Sequence, residues 1–252
     1  MIIRKPNEKH IPELKALWKQ AFGDSEEYID AFFEKSFSKE RCLLVEQEGK
    51  AVSVLYWFDC EYQGKKIAFL YAISTDKDFR GKGICSALIE SAHQHLTSLE
   101  YSGAILVPAN KKLFDFYKRF GYKQTCYISE FSAVASNPID IRKIDIAEYA
   151  MLRKRYLGDG CVLQEGENLD FLEIQSELYA GEDFVLALEN ENGKIFGTEL
   201  LGNTERAGEI LASLGSAEAS FRTIGKEKPF ALWLPLKDAN LPCPEYFGLA
   251  FD

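Results

Sequence analysis

Four consecutive residues in the first half of the chain, Arg80, Gly81, Lys82 and Gly83, have the types and spacing of an anion-binding turn. The two glycines let a ligand approach the backbone closely, and the two basic side chains add positive charge. A helical pattern follows directly, so the first amides of that helix lack internal partners and carry the positive end of its dipole. The turn therefore predicts a site for a phosphorylated ligand.

The elements on either side of the turn place it at one end of a sheet. The apolar run Ile67–Ile73 predicts a buried strand that ends just before the turn. After the turn, apolar residues recur with the period of a helix that packs on a sheet. The face they form consists of Ile84, Ala87, Leu88, Ala92 and Leu96.

Two common phosphate-binding motifs do not fit this turn. A dinucleotide fingerprint requires a third glycine where this chain has Ser86. A nucleoside triphosphate loop requires serine or threonine after the lysine, but Gly83 follows Lys82. The ligand is therefore expected to be of another phosphorylated class.

The remaining pattern, R-G-x-G-x-x at a helix start, resembles the cofactor-binding motif of the GNAT acyltransferases, and the preceding Ile-Ser-Thr resembles that family's run before the turn. The resemblance implies that the turn amides hold the pyrophosphate of acetyl-CoA. It departs from the family at Cys85, where glycine or alanine is usual. The implied cofactor-binding residues are Ile73, Ser74, Thr75, Arg80, Gly81, Lys82, Gly83, Ile84, Cys85 and Ser86.

A second segment, about thirty residues downstream, adds to the resemblance. The run 102–108 predicts a strand, Asn110 is a suitable N-cap for a helix over Lys111–Phe120, and Gly121 stands where a left-handed C-cap is expected. The segment resembles the GNAT pattern N-x-x-A-x-x-F/L-Y-x-x-x-G-F/Y, with Leu113 in place of the alanine. The resemblance implies that Asn110 contacts the cofactor.

The same resemblance implies a catalytic role for Tyr117. Thioester aminolysis expels a thiolate with a pKa near 8.5, and a phenol with a pKa near 10 can donate a proton to it. Periodicity alone favours a simpler reading, because Tyr117 shares a helical face with Leu113 and Phe120 and would then be a core residue.

A general base is harder to find in the sequence. Many GNAT relatives carry a glutamate on the strand equivalent to residues 66–75, and this strand contains no acid. Asp59 and Glu61 on the preceding strand are alternatives, although solvated strand-end carboxylates are the simpler interpretation. A further hypothesis, from resemblance to the enhanced-intracellular-survival type of acetyltransferase, is that the chain's own terminal carboxylate, at Asp252, reaches the site and supplies the base.

Composition limits the classes of function. The chain has 252 residues, a net charge of −9 and no apolar run long enough to cross a membrane. It has six scattered cysteines, three histidines and no apolar leader, which favours the cytoplasm and argues against a zinc site. The acidic surplus argues against a nucleic acid partner.

The two halves of the sequence resemble each other in order. Each half opens on Arg-Lys, continues with two amphipathic helices and reaches a hairpin, CLLVEQEGKAVSVLYWF or FVLALENENGKIFGTELLG. The first-half sheet is predicted over 42–47, 51–61, 66–74 and 102–107. FALWLPL and YFGLAFD predict two final strands. We interpret residues 1–135 as a GNAT acyl-CoA-binding catalytic domain and residues 136–252 as a degenerate GNAT-like domain that lacks the glycine turn.

The predicted fold class is therefore α/β, with two GNAT-like mixed-sheet units in tandem. The resemblance implies an acetyl-CoA-dependent N-acetyltransferase that modifies a primary amine of a small molecule or peptide. Residues 136–252 hold 21 acidic and 11 basic residues, which favours a cationic acceptor or simply provides solubility. Two alternatives remain: an acyl-CoA sensor without turnover, and a FemX-like aminoacyl transferase, which this acidic half disfavours.

Overall fold

Strands dominate the fold because short apolar runs and alternating patterns recur along the whole chain. The computed structural model describes residues 1–191 and 193–251. Within these ranges, thirteen strands join into one mixed sheet. Their bounds are β1 Ile2–Arg4, β2 Cys42–Gln47, β3 Lys50–Tyr62, β4 Lys65–Thr75, β5 Gly103–Leu106, β6 Lys123–Val134, β7 Arg142–Lys143, β8 Leu163–Gln164, β9 Glu177–Ala180, β10 Phe184–Glu191, β11 Lys194–Gly202, β12 Glu218–Ile224 and β13 Lys228–Pro235.

The helices cover the sheet and bury its apolar faces in three clusters. Helices α1, α2, α5 and α6 cover the largest cluster, α3 and α4 cover the second, and α7 covers the third. Their bounds are α1 Ile11–Phe22, α2 Glu26–Lys35, α3 Ile84–Ser98, α4 Lys111–Lys118, α5 Ile146–Tyr156, α6 Glu167–Gln175 and α7 Ala207–Leu214. Helix α1 is the first of the amphipathic helices predicted for the first half, and its apolar residues Leu14, Leu17 and Trp18 are buried.

The strand order shows that the two halves share one sheet. The order is β1-β2-β3-β4-β5-β13-β6-β12-β11-β10-β9-β7, and β8 pairs with β3 outside this path. Strand β13 from the second half lies between β5 and β6 of the first, and β6 from the first half pairs with β12 of the second. The last strand of each half is thus exchanged into the sheet of the other half.

The exchange relates the halves by an approximate twofold symmetry. Counting outward from the centre, β5 matches β12, β4 matches β11, β3 matches β10 and β2 matches β9. The parallel pairs β4–β5 and β11–β12 also correspond. The predicted tandem α/β units are confirmed. The proposed boundary at 135/136 remains a prediction, because the sheet crosses it without a break.

One part of the sequence alignment between the halves was wrong. The hairpin β10–β11 was matched to β2–β3, but by position in the sheet it corresponds to β3–β4. The misplaced strand is β9, which occupies the position of β2 in the second half. Alternating hairpins resemble one another locally, so only the long-range pairing identifies which is which.

The four strands predicted for the first-half sheet are confirmed to within one residue at each end, and β13 confirms the strand predicted from FALWLPL. The strand predicted from YFGLAFD is wrong over the described residues Tyr246–Phe251, which contain only an isolated bridge between Tyr246 and Cys161. Asp252 lies outside the described residues. The backbone of this segment bonds instead to Val162 and to the Gln164 side chain, so it does not form a ladder.

No helix within the described ranges is both long and apolar enough to span a bilayer.

Candidate active site

The Arg80–Gly83 turn lies open at the start of α3. Gly81 and Gly83 adopt left-handed backbone conformations, with φ of 73° and 76°. A Cβ built at either glycine would have no described atom within 4 Å, so no described residue occupies the space next to these two positions. Gly83 is the N-cap of α3, and no side chain of a described residue caps this helix end. The first-turn amides are therefore available to a ligand.

The basic side chains of the turn are exposed and tied to nearby carbonyls. Arg80 Nε donates to the Thr75 carbonyl at 3.0 Å, and Lys82 Nζ donates to the Asp78 carbonyl at 2.8 Å. These bonds leave the charges at the edge of the turn, where they reinforce the dipole of α3. The positive potential is therefore concentrated at the start of the helix.

Strand β4 separates from β5 before it reaches the turn. The parallel ladder pairs Phe69 with Ile105 as its last register position, whereas β4 continues to Thr75. The pairing of β4 with β3 also shifts near Ala72, whose φ of 45° is left-handed. Such a bulge bends a strand and re-aims its side chains. The end of β4, from Leu70 to Thr75, therefore has no ladder partner in β5.

The end of β4 is held from the opposite side by β3. Ser53 Oγ donates to the Ser74 carbonyl at 2.8 Å and lies 2.8 Å from Thr75 Oγ1. The Ser74 hydroxyl is buried and has no hydrogen-bond partner among the described residues. These contacts fix the strand end that leads into the turn.

Tyr117 lies beside the start of α3. Asn110 is the N-cap of α4, as predicted, and its Oδ1 accepts from Leu113 N at 3.2 Å. This cap orients the helix so that Tyr117 is buried with only 7% of its surface exposed. Burial raises the pKa of Tyr117, and the neighbouring Cys85 thiol adds to the shift. The phenol therefore remains protonated at neutral pH and can donate a proton or hydrogen bond.

The structure brings several predicted residues together. Ile73, Ile84, Cys85 and Tyr117 belong to one apolar cluster beneath α3 and α4. Asn110 is exposed at the helix start, where its side chain serves the cap. The predicted site residues thus divide into an open turn, a strand end and a buried phenol.

Comparison with known proteins agrees with this geometry. The family model for the acetyltransferase (GNAT) domain matches residues 2–125. Residues 2–125 are a GNAT acetyltransferase domain. No curated protein matches the chain.

Solved GNAT structures share the fold across nearly the whole chain. A GCN5-related N-acetyltransferase from Kribbella flavida aligns with a TM-score of 0.70 and 14% identity, covering 94% of this chain and 72% of that one. A probable N-acyltransferase from Enterococcus faecalis aligns with a TM-score of 0.69 and 18% identity over the same shares. Eis1 from Mycobacterium abscessus aligns with a TM-score of 0.68 and 12% identity, covering 94% and 74%.

Within the GNAT domain, Asp59 is occupied by other partners. Its carboxylate accepts a hydrogen bond from the Tyr101 hydroxyl and lies 3.3 Å from Lys66 Nζ. Lys66 also lies 4.3 Å from the centre of the Tyr101 ring. These contacts favour the interpretation of Asp59 as a strand-end ion pair. Glu61 is exposed at the same strand end.

Sequence reasoning missed a cluster of aromatic and carbonyl groups on the other face of β4. The Tyr28 and Tyr71 hydroxyl oxygens lie 3.0 Å apart, and Tyr71 donates to the Phe251 carbonyl at 3.2 Å. Tyr28 also donates to that carbonyl at 3.4 Å. No local pattern in the sequence indicated that Phe251 would reach Tyr28 and Tyr71. The hypothesis about the terminal carboxylate concerns Asp252, which lies outside the described residues.

Proposed function

We propose that the protein is an N-acetyltransferase that transfers the acetyl group of acetyl-CoA to a primary amine of a small molecule or peptide. The observation that carries this proposal is the open turn Arg80–Gly83 at an uncapped helix start, next to a strand end that has separated from its parallel neighbour. In this proposal the turn binds the anionic part of the cofactor, and the unpaired end of β4 beside it binds the remainder.

The shape of the site suits acetyl-CoA in three places. The amides of Gly81–Ser86 meet the pyrophosphate, because no Cβ stands above the two glycines. The edge of β4 at Ile73–Thr75 offers backbone groups to the pantetheine amides. The split between β4 and β5 leads towards Tyr117, so the thioester is expected to lie there.

The reaction needs few groups from the protein. The amine nitrogen bonds to the thioester carbonyl carbon, the carbon–sulfur bond breaks, and the departing thiolate takes a proton from Tyr117. The raised pKa of Tyr117 keeps that proton in place at neutral pH. The amine attacks in its neutral form, since only that form is nucleophilic. The proton that its nitrogen loses on forming the amide passes to water, and the Tyr117 phenolate takes a proton back from water.

The acceptor side of β4 is suited to a cationic amine. Tyr28 and Tyr71 are partly exposed there, and aromatic faces attract an ammonium group. The Phe251 carbonyl is an additional hydrogen-bond acceptor beside Tyr71. The acidic surplus of residues 136–252 favours the same charge on the substrate.

The test of this function starts with the turn. Gly83→Val places a branched side chain where the pyrophosphate is expected, so calorimetry should show at least a 10-fold loss of CoA affinity. Gly64→Val is the matched control, because Gly64 also has a left-handed φ, of 69°, and no described atom within 4 Å. Gly64 lies at the opposite end of β4, and this variant should bind CoA as the wild type does.

A thiol-release assay over a panel of amines then separates enzyme from sensor. Acetyl transfer by the wild type to at least one primary amine supports the proposal. Unchanged CoA binding in Gly83→Val contradicts the assignment of the turn. CoA binding without transfer to any amine supports the sensor instead.

A further inference from the structure

A buried ionic cluster in the second half contains none of the residues assigned to cofactor binding or to proton transfer. Arg153 and Glu199 are almost fully buried, with 2% and 0% exposure, and their side chains pair at 2.6 Å and 3.1 Å. The phenols of Tyr149 and Tyr246 also donate to the Glu199 carboxylate, at 2.7 Å and 3.0 Å. Removing both charges from water costs free energy that their attraction can fail to recover, so stability alone does not account for the pair.

The cluster is connected to the C-terminal segment, residues 245–251. Tyr246 is one of its members, and a Cβ built at Gly248 would overlap the Glu199 carboxylate. The chain therefore passes so close to Glu199 that only glycine fits. Any shift of Glu199 would displace this segment.

Gln164 adds a second link between the cluster and the segment. Its Oε1 accepts from Leu249 N at 3.0 Å, and its Nε2 donates to the Leu249 carbonyl at 2.5 Å. Arg153 contacts the same Oε1 at 3.4 Å. Gln164 also pairs through its backbone with Cys60 of β3, so it connects the segment to the sheet of the GNAT domain.

Two residues beyond Leu249, Phe251 lies on the acceptor side of the site. Its carbonyl accepts from Tyr28 and Tyr71, and its ring centre lies 5.2 Å from that of Phe171 and 5.6 Å from that of Phe58. Its φ of 58° is left-handed, a conformation that is strained for a residue with a side chain. Such a conformation persists when surrounding contacts fix it.

We propose that Arg153, Glu199 and Gln164 are positioning residues for the acceptor side of the acetyltransferase site. They hold residues 246–251 so that Phe251 forms one wall of that site. The second half thus serves the reaction without a cofactor turn of its own. The proposal rests on the proposed function, because it assigns the wall to the binding of the amine.

The experiment removes the Gln164 amide while keeping the length of the side chain. Gln164→Met should speed hydrogen exchange in residues 246–251 and raise the KM for the amine by at least 10-fold. The dissociation constant of CoA should stay within about twofold, because the turn at α3 is untouched. Thr223→Val is the control, since it removes a buried bond to the Leu200 carbonyl in the second half without touching this segment.

A second variant tests the same proposal in case Gln164→Met does not fold. Gly248→Ala pushes the segment away from Glu199. This variant should likewise raise the KM for the amine while the dissociation constant of CoA stays within about twofold. The proposal is overturned if exchange in residues 246–251 rises while the amine KM stays unchanged, or if Thr223→Val raises the amine KM equally. Hydrogen exchange in residues 246–251 is measured without turnover. A wild type that transfers no acetyl group would therefore refute the proposed function, whereas the exchange data test the positioning of the segment separately.

Discussion

At the scale of single residues, burial determines what Tyr117 can do. An exposed phenol is already protonated at neutral pH. The apolar cluster around Tyr117 raises its pKa further, so burial favours hydrogen-bond donation over full release of the proton. The same burial is also what a core tyrosine shows. The two roles differ only in what happens when the hydroxyl is removed.

Tyr117→Phe therefore separates catalysis from packing. The ring and its contacts remain, so CoA affinity should stay within about twofold and the melting temperature should hardly change. Loss of the positioned acid should lower turnover by roughly 10²-fold. Tyr122→Phe is the control, because Tyr122 is also buried but its hydroxyl contacts His93. Steady-state turnover of Tyr117→Phe near the wild-type value would assign Tyr117 to the core.

At the scale of elements, the first turn of α3 and its later turns serve different purposes. Its first turn faces the open anion site, and its later turns are packed against the sheet and α4. His93 lies in the packed part, where its Nε2 is 2.9 Å from the Tyr122 hydroxyl. Burial lowers the pKa of His93 to about 4. The stability of this element should therefore depend on pH.

The direction of that dependence follows from proton binding. Below the ordinary histidine pKa of about 6.5, His93 binds a proton in the unfolded chain. In the folded protein it does not bind that proton until the pH falls to about 4. The free energy of unfolding should consequently fall by about 2 kcal/mol between pH 7 and pH 4.5 on account of His93. His93→Gln keeps a polar atom near Tyr122 but does not titrate. Urea unfolding of both proteins across this range should show a smaller loss for the variant, and parallel curves would contradict the assignment.

At the scale of the whole molecule, the exchanged strands make the halves interdependent. β13 completes the sheet between β5 and β6, and Trp233 on β13 is completely buried. Gly103 on β5 lies against its indole ring, and a Cβ at this position would overlap the ring. The contact between the halves therefore tolerates no additional methyl group here.

Gly103→Ala should destabilise the protein by about 2 kcal/mol or more, the scale of overpacking in a rigid core. Because the sheet is shared, calorimetry should show one unfolding transition in the wild type and one transition at a lower temperature in the variant. Gly158→Ala is the control, since no described atom lies within 4 Å of its Cβ position. Two separate transitions, only one of them shifted, would show that the halves unfold independently.

The sequence by itself determined the features that depend on neighbouring residues. The turn at Gly81–Gly83, the helix after it, the cap at Asn110 and the limits of β2 to β5 all follow from local periodicity and from the conformations that particular residues prefer. These preferences act over a few residues, so they are visible without the fold.

Only the tertiary structure decided the features that join distant parts of the chain. The insertion of β13 between β5 and β6 and the path of residues 246–251 to Tyr71 depend on contacts across about a hundred residues or more, and the placement of β9 depends on its pairing with both β10 and β7. Arg153 and Glu199 look like ordinary surface charges in the sequence, yet they meet in the core. Strand pairing and burial are set by the whole packed molecule, and no local pattern encodes which distant segment completes them.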